Sequence, residues 1–162
     1  ALLDLAPATM TGAGTGLDAA GIAHKTQVIK KILKRHADCG NDALAWLACA
    51  GGFEIAALTG AYLRAAQLGL PILLDGFITT VAAVVALKLQ PALQDWLFLS
   101  HASAERGHKQ AISALGLQPL LDLNLRLGEG SGAAIAVPIL RQACILHNQM
   151  ATFAEAAVSG KL

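Results

Sequence analysis

Pro71-Ile72-Leu73-Leu74-Asp75-Gly76-Phe77 decides the fold. Three consecutive apolar residues with no polar alternation, opened by a proline and closed by an acidic residue and a glycine, predict a short strand buried on both faces, as in parallel sheets. An apolar helix over residues 77–89 follows. The phrase then recurs. Trp96-Leu97-Phe98-Leu99 closes at Ser100-His101-Ala102-Ser103-Ala104-Glu105, with a helix to Leu115 and a stop at Gly116. Pro119-Leu120-Leu121-Asp122-Leu123 closes at the loop around Glu129, with a helix from Ser131 onward. Strand, polar turn and helix at a spacing of about 24 residues is the signature of right-handed βαβ units. The fold class is therefore α/β, a Rossmann-like three-layer parallel sheet with flanking helices.

In such sheets ligands bind beyond the carboxyl ends of the strands. That rule selects Asp75, then Ser100, His101 and Ser103, then Glu129. Each has a plainer explanation: Asp75 as a cap on the helix at Gly76, His101 as a satisfied loop histidine, Ser103 as an N-cap. Their shared position after successive strands favours one site. Glu129 sits in Leu125-Arg126-Leu127-Gly128-Glu129-Gly130-Ser131-Gly132, where flanking glycines suit neither helix nor strand and shape a loop around one carboxylate. Ser131 is a candidate cap for the next helix, and the N–H groups of its first turn would attract anionic ligand atoms and help keep Glu129 ionised. Glu129 thus reads as a general base at a ligand pocket or, alternatively, as a helix-terminus cap. A serine-histidine-acid triad is not supported, because no Gly-x-Ser-x-Gly elbow is present.

Upstream, residues 53–68 form a helix with Glu54 at its dipole-favoured start and a glycine stop at Gly69, and residues 43–50 a shorter one, capped by Asn41 or Asp42 and broken at Gly51-Gly52. Lys30, Lys31, Lys34 and Arg35 are a solvated face of the preceding helix, which Asp18 caps. Lys25 is the odd member of that helix, set on the side shared with Ile22 and Ile29; it reads as a snorkelling stem or as a cation for the loop before it. That loop, Met10-Thr11-Gly12-Ala13-Gly14-Thr15-Gly16-Leu17-Asp18, has glycines at alternate positions, which let backbone approach a ligand, yet fits neither the dinucleotide fingerprint nor the P-loop. Residues 2–5 read as the tail of an apolar helix ended by Pro7.

With 162 residues, 55% apolar and 14% charged, the chain suits one globular domain with a sizeable core. Its formal charge of +1 gives no electrostatic case for nucleic acid or a membrane surface as partner. Cys39, Cys49 and Cys144 lack metal spacing and read as reduced, mostly buried thiols of a cytoplasmic protein. No apolar run is long enough to cross a bilayer, and no export leader opens the chain. A mean hydropathy of +0.55 is high for a monomer and points to a covered subunit or inter-domain surface.

Gly12-Ala13-Gly14-Thr15-Gly16-Leu17-Asp18 with Lys25, Gly51-Gly52-Phe53-Glu54-Ile55, Leu74-Asp75-Gly76-Phe77, Ser100-His101-Ala102-Ser103-Ala104-Glu105-Arg106-Gly107-His108 and Arg126-Leu127-Gly128-Glu129-Gly130-Ser131-Gly132 resemble, in this order, the nicotinate-nucleotide:dimethylbenzimidazole phosphoribosyltransferases of cobalamin biosynthesis. Met150-Ala151-Thr152-Phe153-Ala154-Glu155-Ala156 is similar to that family's C-terminal signature.

The resemblance implies transfer of the phosphoribosyl group of nicotinate mononucleotide to 5,6-dimethylbenzimidazole or a related aromatic base, giving α-ribazole 5′-phosphate and nicotinate. By it, Glu129 is the general base that takes the benzimidazole N–H proton, a task suited to a carboxylate in a partly dry pocket. Gly14, Thr15, Gly16, Lys25 and Ser103 fall at the phosphate and ribose, with Asp75, Leu127 and Gly128 beside them. No cofactor or metal is implied, since the glycosidic bond to the pyridinium is already activated. A homodimer is implied too. Residues 1–147 correspond to the C-terminal part of the α/β core, and residues 148–162 to a C-terminal helical segment packing with a smaller helical domain. Family members are much longer. The part before Ala1 is expected to supply a helical segment, much of the aromatic-base pocket, further strands and a Gly-Ile-Gly-Asn-Thr-Thr loop with a second acidic residue, so the alternative to a catalytic half is an inactive remnant that binds nucleotide or only assembles with a partner.

Overall fold

The computed structural model describes residues 1–14 and 16–158. Along the chain run α1 (Pro7–Met10), α2 (Ala19–Arg35), α3 (Ala43–Trp46), α4 (Phe53–Gln67), β1 (Ile72–Leu74), α5 (Phe77–Leu89), β2 (Leu97–His101), α6 (His108–Leu115), β3 (Pro119–Leu121) and α7 (Ser131–Gln149). The three anticipated strands form a parallel sheet in the order β1-β2-β3. Leu74 pairs with Leu99, and His101 with Leu121. Each strand ends at the same edge of the sheet, and each is followed by a polar loop and a helix.

The core forms where Ile72, Leu74, Leu97 and Leu99 meet the alanine-rich α5. Ala82, Ala83, Val84, Val85 and Ala86 are all buried, because α5 packs against both α4 and α6 as well as β1. A helix apolar all round belongs inside, and its small side chains let neighbouring backbones approach closely. Leu74 and Leu99 are at most 1% exposed, and each contributes about 2 kcal/mol by leaving water. α7 packs on β2. No helix is long and apolar enough to cross a membrane among the described residues.

Two local expectations are corrected, those for the first leucines and for the thiols. Residues 2–5 are not helical. Pro7 opens a helix instead of ending one, since a residue without an N–H fits the first helical turn, where that group has no partner. The helix from Ala43 continues past Trp46 as a π-helical turn, Leu47–Gly51, closed by Gly52 at φ 83°. Only Ala43 and Trp46 of that stretch are buried, so Cys49 is exposed; Cys144 is exposed and Cys39 half-buried, against the expectation of buried thiols. α7 runs through position 147 without a break to Gln149. Beyond it, Thr152 and Glu155 cap one turn reciprocally, and residues 159–162 lie outside the described residues.

Candidate functional site at the carboxyl ends of the strands

Glu129 lies in a turn whose backbone is left-handed at three successive residues: Gly128 at φ 80°, Glu129 at 57° and Gly130 at 77°. Ser131 N–H donates to the Gly128 carbonyl at 3.0 Å and closes the turn. Positive φ at both central residues is the type I′ pattern, which favours glycine, asparagine and aspartate. A glutamate there costs about 1 kcal/mol or more, and such strain persists where the surroundings impose it. Its side chain is exposed.

Asp75 imposes it. Its carboxylate is 6% exposed and accepts from Gly130 N–H at 3.3 Å and Ala133 N–H at 3.0 Å. The residue after β1 thus caps α7, fifty-five residues away, by satisfying first-turn donors that a helix leaves without partners. This corrects two expectations: Ser131 makes no capping bond, and Asp75 does not cap the helix at Gly76. Asp75→Asn should leave the fold intact but weaken both bonds, costing about 1 kcal/mol and speeding amide exchange at Gly130 and Ala133. Unchanged exchange at both amides would count against this role.

After β2, Ser103 is buried, and its N–H donates to His108 Nδ1 at 2.8 Å. Its hydroxyl receives Glu105 N–H at 3.3 Å. His101, 2% exposed, has its Nδ1 3.1 Å from Ser100 Oγ and packs against the backbone of Gly132, in the first turn of α7. The plainer reading of His101, a satisfied structural histidine, is the one its surroundings support. Burial lowers the proton affinity of His108 below the ordinary imidazole range.

The glycine loop reaches the same edge. A Cβ on Gly12 would stand 3.1 Å from Glu105 Oε2, and one on Gly107 would stand 2.9 Å from the Met10 carbonyl and 2.7 Å from Phe77 Cζ. Met10 and Gly12 therefore lie against the turn that follows Ser103, and a side chain on Gly107 would push them apart, whereas the Glu105 carboxylate could give way to one on Gly12. Gly14, at φ 55°, has the Lys25 ammonium 4.0 Å from its Cβ position. Thr15 lies outside the described residues, and Leu127 is 75% exposed.

One carboxyl edge thus carries an exposed carboxylate on a braced turn, a serine turn fixed from below, and a glycine loop beside an exposed ammonium. That combination offers a proton acceptor together with donors and charge for an anion. Sequence reasoning assigned no role to His108 and missed the true partner of Asp75. A cavity of about 1310 Å³ lies elsewhere, lined by residues 1–5, Trp46, Val84 and Leu87 among others, and none of the described predicted residues lines it. Among the described residues no group of three His, Cys, Asp or Glu side chains could hold a metal ion.

The fold is that of a phosphoribosyltransferase family. A family model described as phosphoribosyltransferase matches residues 1–158, and the chain belongs to that family. It is 60% identical over 159 residues to the nicotinate-nucleotide–dimethylbenzimidazole phosphoribosyltransferase of Xanthomonas axonopodis pv. citri (strain 306), covering 98% of this chain and 45% of the relative. To the protein of that name from Pseudomonas syringae pv. tomato (strain ATCC BAA-871 / DC3000) it is 57% identical, covering 99% and 46%. The crystal structure of CobT from Thermus thermophilus superposes with a TM-score of 0.92 at 46% identity, over 99% of this chain and 47% of that one. The chain spans about half the length of the relatives it matches.

Proposed function

We propose that this chain carries the general base and phosphate-binding edge of an enzyme that transfers the phosphoribosyl group of nicotinate mononucleotide to 5,6-dimethylbenzimidazole or a related base. The observation that carries it is the left-handed turn that presents Glu129, braced by Asp75. The Glu129 carboxylate takes the benzimidazole N–H proton, and the ring nitrogen attacks C1′. The bond from C1′ to the pyridinium nitrogen breaks, its electron pair leaves with nicotinate, and α-ribazole 5′-phosphate forms. Gly14, Thr15, Gly16, Lys25 and Ser103 hold the phosphoribosyl group, with Asp75, Leu127 and Gly128 alongside. Residues 148–162 pack with a smaller helical domain.

The proposed setting is a cytoplasmic homodimer. Ile135, Ile139, Ile145 and Leu146 of α7 are 42–53% exposed and Phe53 94%, an apolar surface that a second subunit would cover. The test is an assay of the chain alone and with the N-terminal half of the Xanthomonas relative supplied in trans. Product in the complemented preparation, at a light-scattering mass with two copies of this chain, is the expected result. No product in either preparation would overturn the catalytic reading, and a single copy in the active species would overturn the dimer.

A further inference from the structure

His108 lies outside the chemistry described above, yet it is fully buried and both of its ring nitrogens are bonded. A backbone N–H can only donate, so the bond from Ser103 to Nδ1 leaves that nitrogen without a hydrogen. The ring proton of neutral His108 is therefore on Nε2, 3.0 Å from Thr80 Oγ1. Thr80 spends its own hydrogen on the Gly76 carbonyl, at 2.8 Å, and so accepts from His108. Every hydrogen in the chain from Ser103 to Gly76 is thereby placed. Phe77 and His101 flank the ring, with centroids 6.4 and 6.3 Å away, and restrict its rotation. Gly76 follows Asp75, whose carboxylate holds the Glu129 turn, so one connected path runs from Ser103 to Glu129.

We infer that His108 is a positioning residue: through Thr80 and Gly76 it sets the Ser103 turn, which contacts the phosphate, at a fixed separation from the Glu129 turn. The inference rests on the proposed role of Ser103 at the phosphoribosyl group. Losing this link leaves a buried N–H without a partner and lets the turn relax, which weakens anion binding more than it alters the proton transfer.

Three variants of the chain, each with the N-terminal half of the Xanthomonas relative supplied in trans, test it, with nicotinate mononucleotide binding followed by calorimetry beside thermal melting. His108→Phe keeps a planar ring and loses both bonds; affinity should fall about tenfold or more. In His108→Asn the side-chain oxygen takes the place of Nδ1 and accepts from Ser103 while the link to Thr80 is lost, so it should recover only part of that affinity, although its melting temperature falls like that of the phenylalanine variant. Thr80→Val keeps the Ser103 bond and loses the same second link, so its affinity should match that of the asparagine variant. Affinity that follows melting temperature across the series, or a phenylalanine variant that folds and binds like the wild type, would overturn the inference alone. Wild-type protein that binds no mononucleotide would instead overturn the reading of the site, and the inference with it. Should the variants fail to fold, ¹⁵N shifts of wild-type His108 still decide, because a proton on Nδ1 would contradict the placed network.

Discussion

Glu129→Gln, assayed with the N-terminal half supplied, should turn over about two to four orders of magnitude more slowly while nicotinate mononucleotide affinity changes little. Glutamine matches glutamate in shape and occupies the same left-handed turn, so only proton acceptance is lost. The rival role, a cap on the following helix, predicts a drop of about 1 kcal/mol in stability at an intact rate. The structure separates the two, because the first-turn N–H groups of Gly130 and Ala133 are already taken by Asp75. Melting temperature should therefore hold while rate collapses. Glu129→Gly should show the cost of placing a side chain there: relief of backbone strain at φ 57° should raise stability by about 1 kcal/mol, with activity lost. A glutamine variant with unchanged turnover would remove Glu129 from the mechanism.

The three strands were legible because each is an apolar run bracketed by residues that stop it, and period and punctuation are local properties. The capping partner of Asp75 was not, since capping rules look two or three residues ahead and this bond spans the sheet. His108 left a readable trace. Together with Ala111 and Leu115 it occupies positions i, i+3 and i+7 of one helical face, and all three are buried. A histidine on the apolar stripe of a short amphipathic helix must find partners for both nitrogens, so its network could have been sought from the sequence. The first leucines carry a different ambiguity: Pro7 is as compatible with the end of a helix as with the first turn of one, and here it opens α1.

Gly132→Ala should destabilise the protein by about 3 kcal/mol, the upper end of what overpacking costs, and lower the melting temperature by roughly 6–12 °C. Helix interiors ordinarily gain from this substitution, because alanine loses less backbone entropy than glycine on folding. Gly132 is buried in the first turn of α7, and a Cβ there would run into the Nδ1, Cε1 and Cγ atoms of His101. The ring is held in place by its own contact, because Ser100 Oγ lies 3.1 Å from Nδ1 and withdrawal would break that bond. Either His101 leaves its rotamer or the start of α7 lifts from β2, which would pull Gly130 and Ala133 from Asp75 and loosen the turn that presents Glu129. Gly60, exposed in α4 with nothing within 4 Å of its Cβ position, is the internal control. There the same change should stabilise by about 0.5–1 kcal/mol. Adding His101→Ala to Gly132→Ala removes the obstructing ring, so the double variant should be more stable than the sum of the single effects, with a coupling of about 1 kcal/mol or more. A Gly132→Ala protein that melts at or above the wild type would show that His101 yields freely and that this corner of the site is not rigid.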